Sequence, residues 1–308
     1  MRLFDLHCDT LSVALHQLPS VLVEEDTVAP PWQGIFTPWI QTMAAWIPDA
    51  LRGEAARQEC FAQLALAREW ERRYPEMFRV LDFHDPLADY PGCQVMLSVE
   101  GAGALGEDST LPDRLAAKGV KLISFTWNGD NAWASGCSGT PDRGLTPTGQ
   151  WMLRRLETLS ITLDVSHLNE VGFWQVASIS QRPLVASHSN AASIYPHPRN
   201  LTDDQFTAIR ERGGLVGLNL YPGHLGELSC EQFQRHLEHF LRLGGERTLC
   251  IGSDLDGFTL PPDTTCPAIL TAIWEHLTRQ GYTHSLLEDI FYKNAQRFFF
   301  GINEQDKE

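Results

Sequence analysis

The 308-residue chain carries 43% apolar and 20% charged residues, the balance of a folded globular protein long enough to bury a large core. Its formal charge of −15, with no block of Lys or Arg, excludes a nucleic-acid partner, because a polyanion would be repelled. No apolar run reaches the roughly 18 residues of a transmembrane helix and no basic-then-apolar leader opens the chain. Seven scattered cysteines form no CxxC pair, which suits reduced thiols and a cytoplasmic location.

The first predicted strand, LFDLH (3–7), ends in His7 and leads through Cys8 to Asp9. Strand alternation puts His7 and Asp9 on one face and Cys8 on the other, with Asp5 in phase one step deeper as a carboxylate that could orient the site from beneath. A second strand is expected over IFTPWI (35–40), then an Ala/Glu/Arg-rich helix from Glu54 to Arg73. FRVLDF (78–83) reads as an additional strand, and VMLSVE (95–100) ends in Glu100. After VKLISF (120–125), Thr146-Pro147 opens a helix to Leu159, with proline at the first helical position. ITLDVSH (161–167) runs into His167, Asn169 caps the next helix, and LVASH (184–188) ends in His188. TDDQ, from Thr202, is a capping-box pattern. LVGLNL (215–220) follows; Ser229 opens a helix through Leu243, stopped by Gly244-Gly245, and LCIGSD (249–254) ends in Asp254.

Eight apolar runs alternating with helices, the run at 78–83 left aside, predict a closed (β/α)8 TIM barrel formed as one domain over residues 1–308. An open doubly wound sheet is the alternative; no GxGxxG follows the first strand to favour it. Active sites of such barrels lie at the C-terminal ends of the strands. There the list places His7, Asp9, Glu100, His167, His188 and Asp254. Taken singly, each histidine reads as a hydrogen-bonded rim residue, Glu100 as a turn cap, Asp254 and Asp256 as loop acids. Their convergence is what points to metal: three imidazoles and several carboxylates cannot be buried together without compensation. Imidazole and carboxylate without thiolate suit Zn2+, or Mn2+, Fe2+ or Co2+, rather than Ca2+ or Mg2+. Five ligands exceed what one catalytic zinc takes and fit two metals with a shared carboxylate. Glu100 is the natural bridge, with His7 and Asp9 on one metal and His167 and His188 on the other. Such a pair can hold a bridging hydroxide and polarise a carbonyl. Of the remaining histidines, His236, His239 and His276 are expected on helix surfaces and His16 and His84 have no partner pattern. His197 and His224 sit in loops within reach of the mouth but are not counted as ligands.

The chain resembles the membrane dipeptidase (renal dipeptidase) family of dizinc (β/α)8 peptidases, peptidase family M19. The motifs that carry the resemblance are DLHCD (5–9), SVEG (98–101), GLTPTGQWMLRRLETLSITLDVSH (144–167), VASHS (185–189), HPRNLTDDQFTAIRERGGLVGLNLYP (197–222) and GSDLDG (252–257). They run in family order across nearly the whole chain. The resemblance implies a metal-dependent dipeptidase with two Zn2+ per chain: His7 and Asp9 on one, His167 and His188 on the other, Glu100 bridging. It further implies that Asp254 is the catalytic aspartate, that Arg199 binds the substrate carboxylate, and that Tyr221 lines the pocket. A guanidinium fork matches a carboxylate in its own right. The chain departs from the family where many members carry a substrate-holding histidine in Thr-His-Asn: here the stretch is FTWNGDN, with Trp127 at that place and Asn128 as a substitute donor. An indole donates one hydrogen bond but carries no charge. From the family come also the expectations of a small dipeptide substrate, with L-Xaa-D-Xaa as first choice, and of a homodimer; the family's membrane-anchor signal is missing. Two rivals stand beside this reading. One is a barrel amidohydrolase acting on a non-peptide amide or lactone, against which HxD in place of HxH argues; the other is a metal-binding homologue weakened by Trp127.

Overall fold

The computed structural model describes residues 1–18, 20, 34–83, 87, 90–261 and 264–301. His84 and the C-terminal end of the expected domain, 302–308, lie outside them. Nine parallel strands run β1 (Leu3–Cys8), β2 (Trp39–Trp46), β3 (Phe78–Val80), β4 (Cys93–Glu100), β5 (Val120–Ser124), β6 (Thr162–Asp164), β7 (Val185–Ala186), β8 (Leu215–Leu218) and β9 (Leu249–Ile251). The hydrogen-bonded order is β2-β1-β9-β8-β7-β6-β5-β4-β3, and β2 also pairs with β4, which closes eight strands into the expected TIM barrel. β3 stands outside the ring. It bonds the start of β4 (Phe78 opposite Cys93) on the edge that β5 occupies further up (Val99 opposite Ile123).

The helices of the outer layer follow their sequence signals. α1 spans Thr10–Leu15, α2 Gly53–Arg73, α3 Leu111–Ala117, α4 Pro147–Thr158, α5 Glu170–Ile179, α6 Asp203–Glu211, α7 Pro222–Leu225, α8 Cys230–Arg242, α9 Cys266–Arg279, α10 His284–Glu288 and α11 Asn294–Phe300. Thr146, Asn169 and Ser229 each accept the N–H of the third residue into their helix, and Thr202 and Gln205 close a reciprocal capping box on α6. No helix of the described residues is long and apolar enough to cross a membrane.

Two apolar layers result. Leu3, Cys8, Trp39, Met43, Val95, Leu97 and Ile123 point outward into the helices. Phe4, Leu6, Ile40, Met96, Leu122, Val185, Leu215 and Cys250 fill the barrel interior, where Tyr292 and Ala295 join them. Phe299 of α11 stacks on Phe4 at 5.7 Å between centroids, so the C-terminal helix plugs the N-terminal end of the barrel.

Two expectations change. The second barrel strand is WIQTMAAW, not IFTPWI; only Trp39 and Ile40 are common to both. Gln41 and Thr42 break the apolar run that would have marked it, yet both are fully buried. In β1 the alternation is not continuous: Asp5 lies opposite Gln41 but Cys8 opposite Met43, three residues against two. This bulge lets Leu6 and His7 both face inward while Asp5 and Cys8 face out. Asp5 therefore does not sit in phase beneath His7. It accepts the backbone N–H of His7 (3.3 Å) and of Ser253 (2.9 Å) and the Ser253 hydroxyl, tying β1 to the turn after β9.

Candidate metal centre

The mouth of the barrel is a cavity of about 540 Å³, a volume that suits a dipeptide. His7, Asp9, Glu100, His167, His188, Arg199, Tyr221, Trp127, Asn128 and Asp254 were the residues expected there, and all but His7 line it directly; His7 lies in its floor, 2% exposed. Among the described strands, only β1 and β4 carry one of these candidate ligands, His7 and Glu100, within the strand itself. Past β6, β7 and β9 the chain turns outward after Asp164, Ala186 and Ile251, and those turns present His167, His188 and Asp254.

Glu100 is at the centre. Its Oε2 is 3.5 Å from His7 Nε2, and its Oε1 is 2.6 Å from His167 Nε2 and 3.9 Å from His188 Nε2. His7 Nε2 also lies 3.7 Å from Asp9 Oδ1 and 3.8 Å from Asp254 Oδ1. Three overlapping sets have ligand atoms mutually close enough to share an ion: His7, Asp9 and Glu100; Glu100, His167 and His188; His7, His188 and Asp254. The fit to cations rests on what these atoms lack. His7 Nε2 and Asp9 Oδ1 are buried with no hydrogen-bond partner among the described residues. His167 Nε2 and His188 Nε2 face each other at 2.9 Å. Burial drives both imidazoles well below the ordinary histidine range, and the cations Arg199 and His7 add to it, so both rings are neutral there. On the other side, burial and the neighbouring acids hold the Glu100 carboxyl well above its usual range. Burial opposes protonation of His7 too, yet Glu100, Asp9 and Asp254 outweigh it and push the imidazole up to about 10. The pocket asks for positive charge.

The supporting groups are specific. Asn128 Oδ1 lies 3.1 Å from His167 Nδ1 and also accepts from Cys137 Sγ (3.3 Å). Ser187 Oγ lies 2.7 Å from His188 Nδ1 and donates to Asp164, whose carboxylate also accepts from Ser166 Oγ (2.6 Å) and from the Ser166 and Ser187 amides (3.0 Å each). Asp254 sits at a left-handed φ of 62° and accepts from Asn219 Nδ2 at 3.0 Å. Burial raises its carboxyl to about 6, against the opposing pull of His7. Gly257 makes room for it: a Cβ there would come within 2.5 Å of Asp254 Oδ1 and 2.7 Å of Asp9 Oδ2.

Arg199 is buried, donates through Nη2 to the His188 carbonyl (3.2 Å), and leaves Nε and Nη1 without a partner among the described residues. Trp127 packs edge-on against Trp46 (5.1 Å) to make an aromatic wall. Tyr221 stands 37% exposed with its ring against His224. His197 and His224, left out as ligands, do line the pocket, their rings 4.7 Å apart. Burial drives His224 down to about 3, so it enters as a neutral imidazole. Asn219, Asp164 and Ser187 were missed altogether. Their only signal was position at the ends of apolar runs: Asp164 in DVSH, Ser187 in VASH and Asn219 in LVGLNL. His236 and His276 are buried rather than on the surface, whereas His16 is exposed on Glu59 and His239 is half-buried on Asp203.

Comparison with known proteins follows this geometry. The membrane dipeptidase family (peptidase family M19) matches residues 1–308. A protein of the pqqA 5′ region of Klebsiella pneumoniae, itself uncharacterized, is 34% identical over 67% of this chain and 81% of its own length. A metallopeptidase of Rhodobacter sphaeroides, solved with a phosphinate mimic of the dipeptide L-Ala-D-Ala, is 27% identical, superposes with a TM-score of 0.85, and is matched over 97% of this chain and 98% of its own. An M19 dipeptidase is 28% identical at a TM-score of 0.86, over 98% and 99% of the two chains. The chain belongs to the membrane dipeptidase family, peptidase family M19, and is a metal-dependent dipeptidase.

Proposed function

We propose that this enzyme hydrolyses the peptide bond of L-Xaa-D-Xaa dipeptides with two zinc ions per chain. His7 and Asp9 would hold one, His167 and His188 the other, and Glu100 would reach both. The observation that carries this reading is the Glu100 carboxylate, with one oxygen toward His7 and the other toward His167, beside the orphaned His7 Nε2 and Asp9 Oδ1. The thiolate-free donor set fits zinc. When bound, such a pair supplies Lewis-acid polarisation of the scissile carbonyl and a nucleophilic water at neutral pH. Asp254, with a carboxyl raised to about 6, takes the proton of the attacking water and passes it to the leaving amine. Arg199 lines the pocket with two donors that have no partner among the described residues and binds the terminal carboxylate, which limits substrates to short peptides. Trp127, Asn128 and Tyr221 border the substrate. The preference for a D-residue rests on the R. sphaeroides metallopeptidase and its L-Ala-D-Ala mimic. Cys8, Cys60, Cys93, Cys137, Cys230 and Cys250 are free thiols, in support of a reducing, cytoplasmic compartment.

The test is a panel of L,L- and L,D-dipeptides and their C-terminal amides, run on zinc-loaded enzyme and on Arg199→Met. Wild type should cleave the free acids. The variant should lose roughly 10- to 100-fold in kcat/KM on them, the worth of a charge-assisted hydrogen bond, and little on the amides. No turnover of any member would sink the dipeptide assignment.

A further inference from the structure

We propose that Asn128, and Asp164 acting through Ser187, are positioning residues that fix the tautomers of His167 and His188 and thereby set the affinity of one half of the metal centre. The inference rests on the two-metal reading above and concerns side chains that do not themselves face the ions.

The proton count makes the argument. The Ser187 hydroxyl has one hydrogen, and it goes to Asp164, an acceptor. Ser166 cannot supply the other contact, because its own hydroxyl hydrogen also goes to Asp164. At 2.7 Å the Ser187 oxygen is then the acceptor of a hydrogen on His188 Nδ1, which leaves Nε2 with its lone pair toward the cavity. His167 is settled in the same way by a different partner. Asn128 Oδ1 accepts from Cys137 Sγ, so the amide is turned with its oxygen inward, and His167 Nδ1–H donates to that oxygen at 3.1 Å. Both Nε2 atoms are thereby bare, 2.9 Å apart and beside Glu100 Oε1. A ring free to hold its hydrogen on Nε2 would block one coordination position. Outer partners of this kind are typically worth 10- to 100-fold in metal affinity.

Position explains why these residues do this. Ser187 follows β7 and Asp164 ends β6, so one carboxylate spans two neighbouring strand ends. The Ser187 carbonyl is clamped as well: a Cβ on Gly217 or Gly252 would come within 1.9 and 1.8 Å of it. The backbone that carries the hydroxyl is thus held by packing between neighbouring strands rather than by the ring it serves.

The experiment is stepwise Zn2+ binding by chelator competition on the full chain, with Co2+ absorption as the spectroscopic readout. Ser187→Ala, Asp164→Asn and Asn128→Leu should each weaken one of the two equivalents 10- to 100-fold, leave the other within about 2-fold, and alter the Co2+ spectrum of that equivalent alone. Ser187→Thr, which keeps the hydroxyl, and Asn128→Asp, which keeps the acceptor, should restore tight binding. Rescue by these two variants also covers the case in which the truncations fail to fold. Two equivalents bound at wild-type affinity by all three truncations would overturn the proposal. A wild-type protein that binds a single equivalent would instead overturn the two-metal reading, and the proposal would then fall only if that equivalent bound equally well in the truncations.

Discussion

His236 bonds in two directions from inside α8: its Nδ1 accepts the Ala191 N–H at 3.1 Å and its Nε2–H donates to the Leu225 carbonyl at 2.9 Å. Burial holds it down to about 4 in the folded protein, against about 6.5 unfolded. Between those values the unfolded chain binds a proton that the folded chain refuses, so this residue costs nothing above pH 6.5 and removes stability as pH falls toward 4, by on the order of 3 kcal/mol at most. Urea unfolding of zinc-loaded protein at pH 7.5 and pH 5 should show a larger loss for wild type than for His236→Gln. Equal losses would contradict the sign or the site. The spacing Phe233, His236, Leu237, Phe240 puts this histidine on the apolar stripe of its helix, a signal present in the sequence and outweighed by residue type alone. The candidate ligands could be singled out for the opposite reason: each ends or closely follows an apolar run, where a barrel gathers its chemistry. Arg199 ends no strand and was legible only through resemblance.

At the scale of elements, caps proved readable because they depend on neighbours in sequence. Thr202 Oγ accepts from Gln205 N (3.2 Å) and Gln205 Oε1 from Thr202 N (2.9 Å), as the TDDQ pattern requires. Thr202→Ala should therefore cost about 1 kcal/mol in urea unfolding, with Thr202→Asp recovering most of it. Strand ends were less readable. ITLDVSH and LCIGSD run past the last strand residues, Asp164 and Ile251, into turns that are themselves buried beneath the mouth. The bulge in β1 had no local mark at all. It is set by pairing with β2, a partner more than thirty residues on, and it is what brings His7 inward alongside Leu6. Simple alternation gave the right face for His7 and Cys8 and the wrong one for Asp5.

For the molecule as a whole, the barrel could be counted from its runs, although one of the nine strands adds to the edge of the ring rather than closing it. Its candidate metal centre joins segments from His7 to Asp254, and their acids repel one another when no cation is present. Chelation should lower the melting temperature by roughly 5 °C or more, with zinc restoring it, since a ligand bound only by the native state stabilises it by mass action. An unchanged melting temperature would mean that the acids are compensated in some other way. The tie between Asp5 and Ser253, residues separated by 248 positions, reaches further than stability. Asp5, with His7 just behind it, leaves the ribosome 248 residues ahead of Ser253, the neighbour of Asp254, and further still ahead of α11. Until those segments emerge β1 lacks its β9 neighbour and Phe4 lacks its cover, so a nascent chain must carry an open, sticky β1 through all of that stretch of synthesis. Ring closure, and with it a complete set of candidate metal ligands, waits for segments far along the chain.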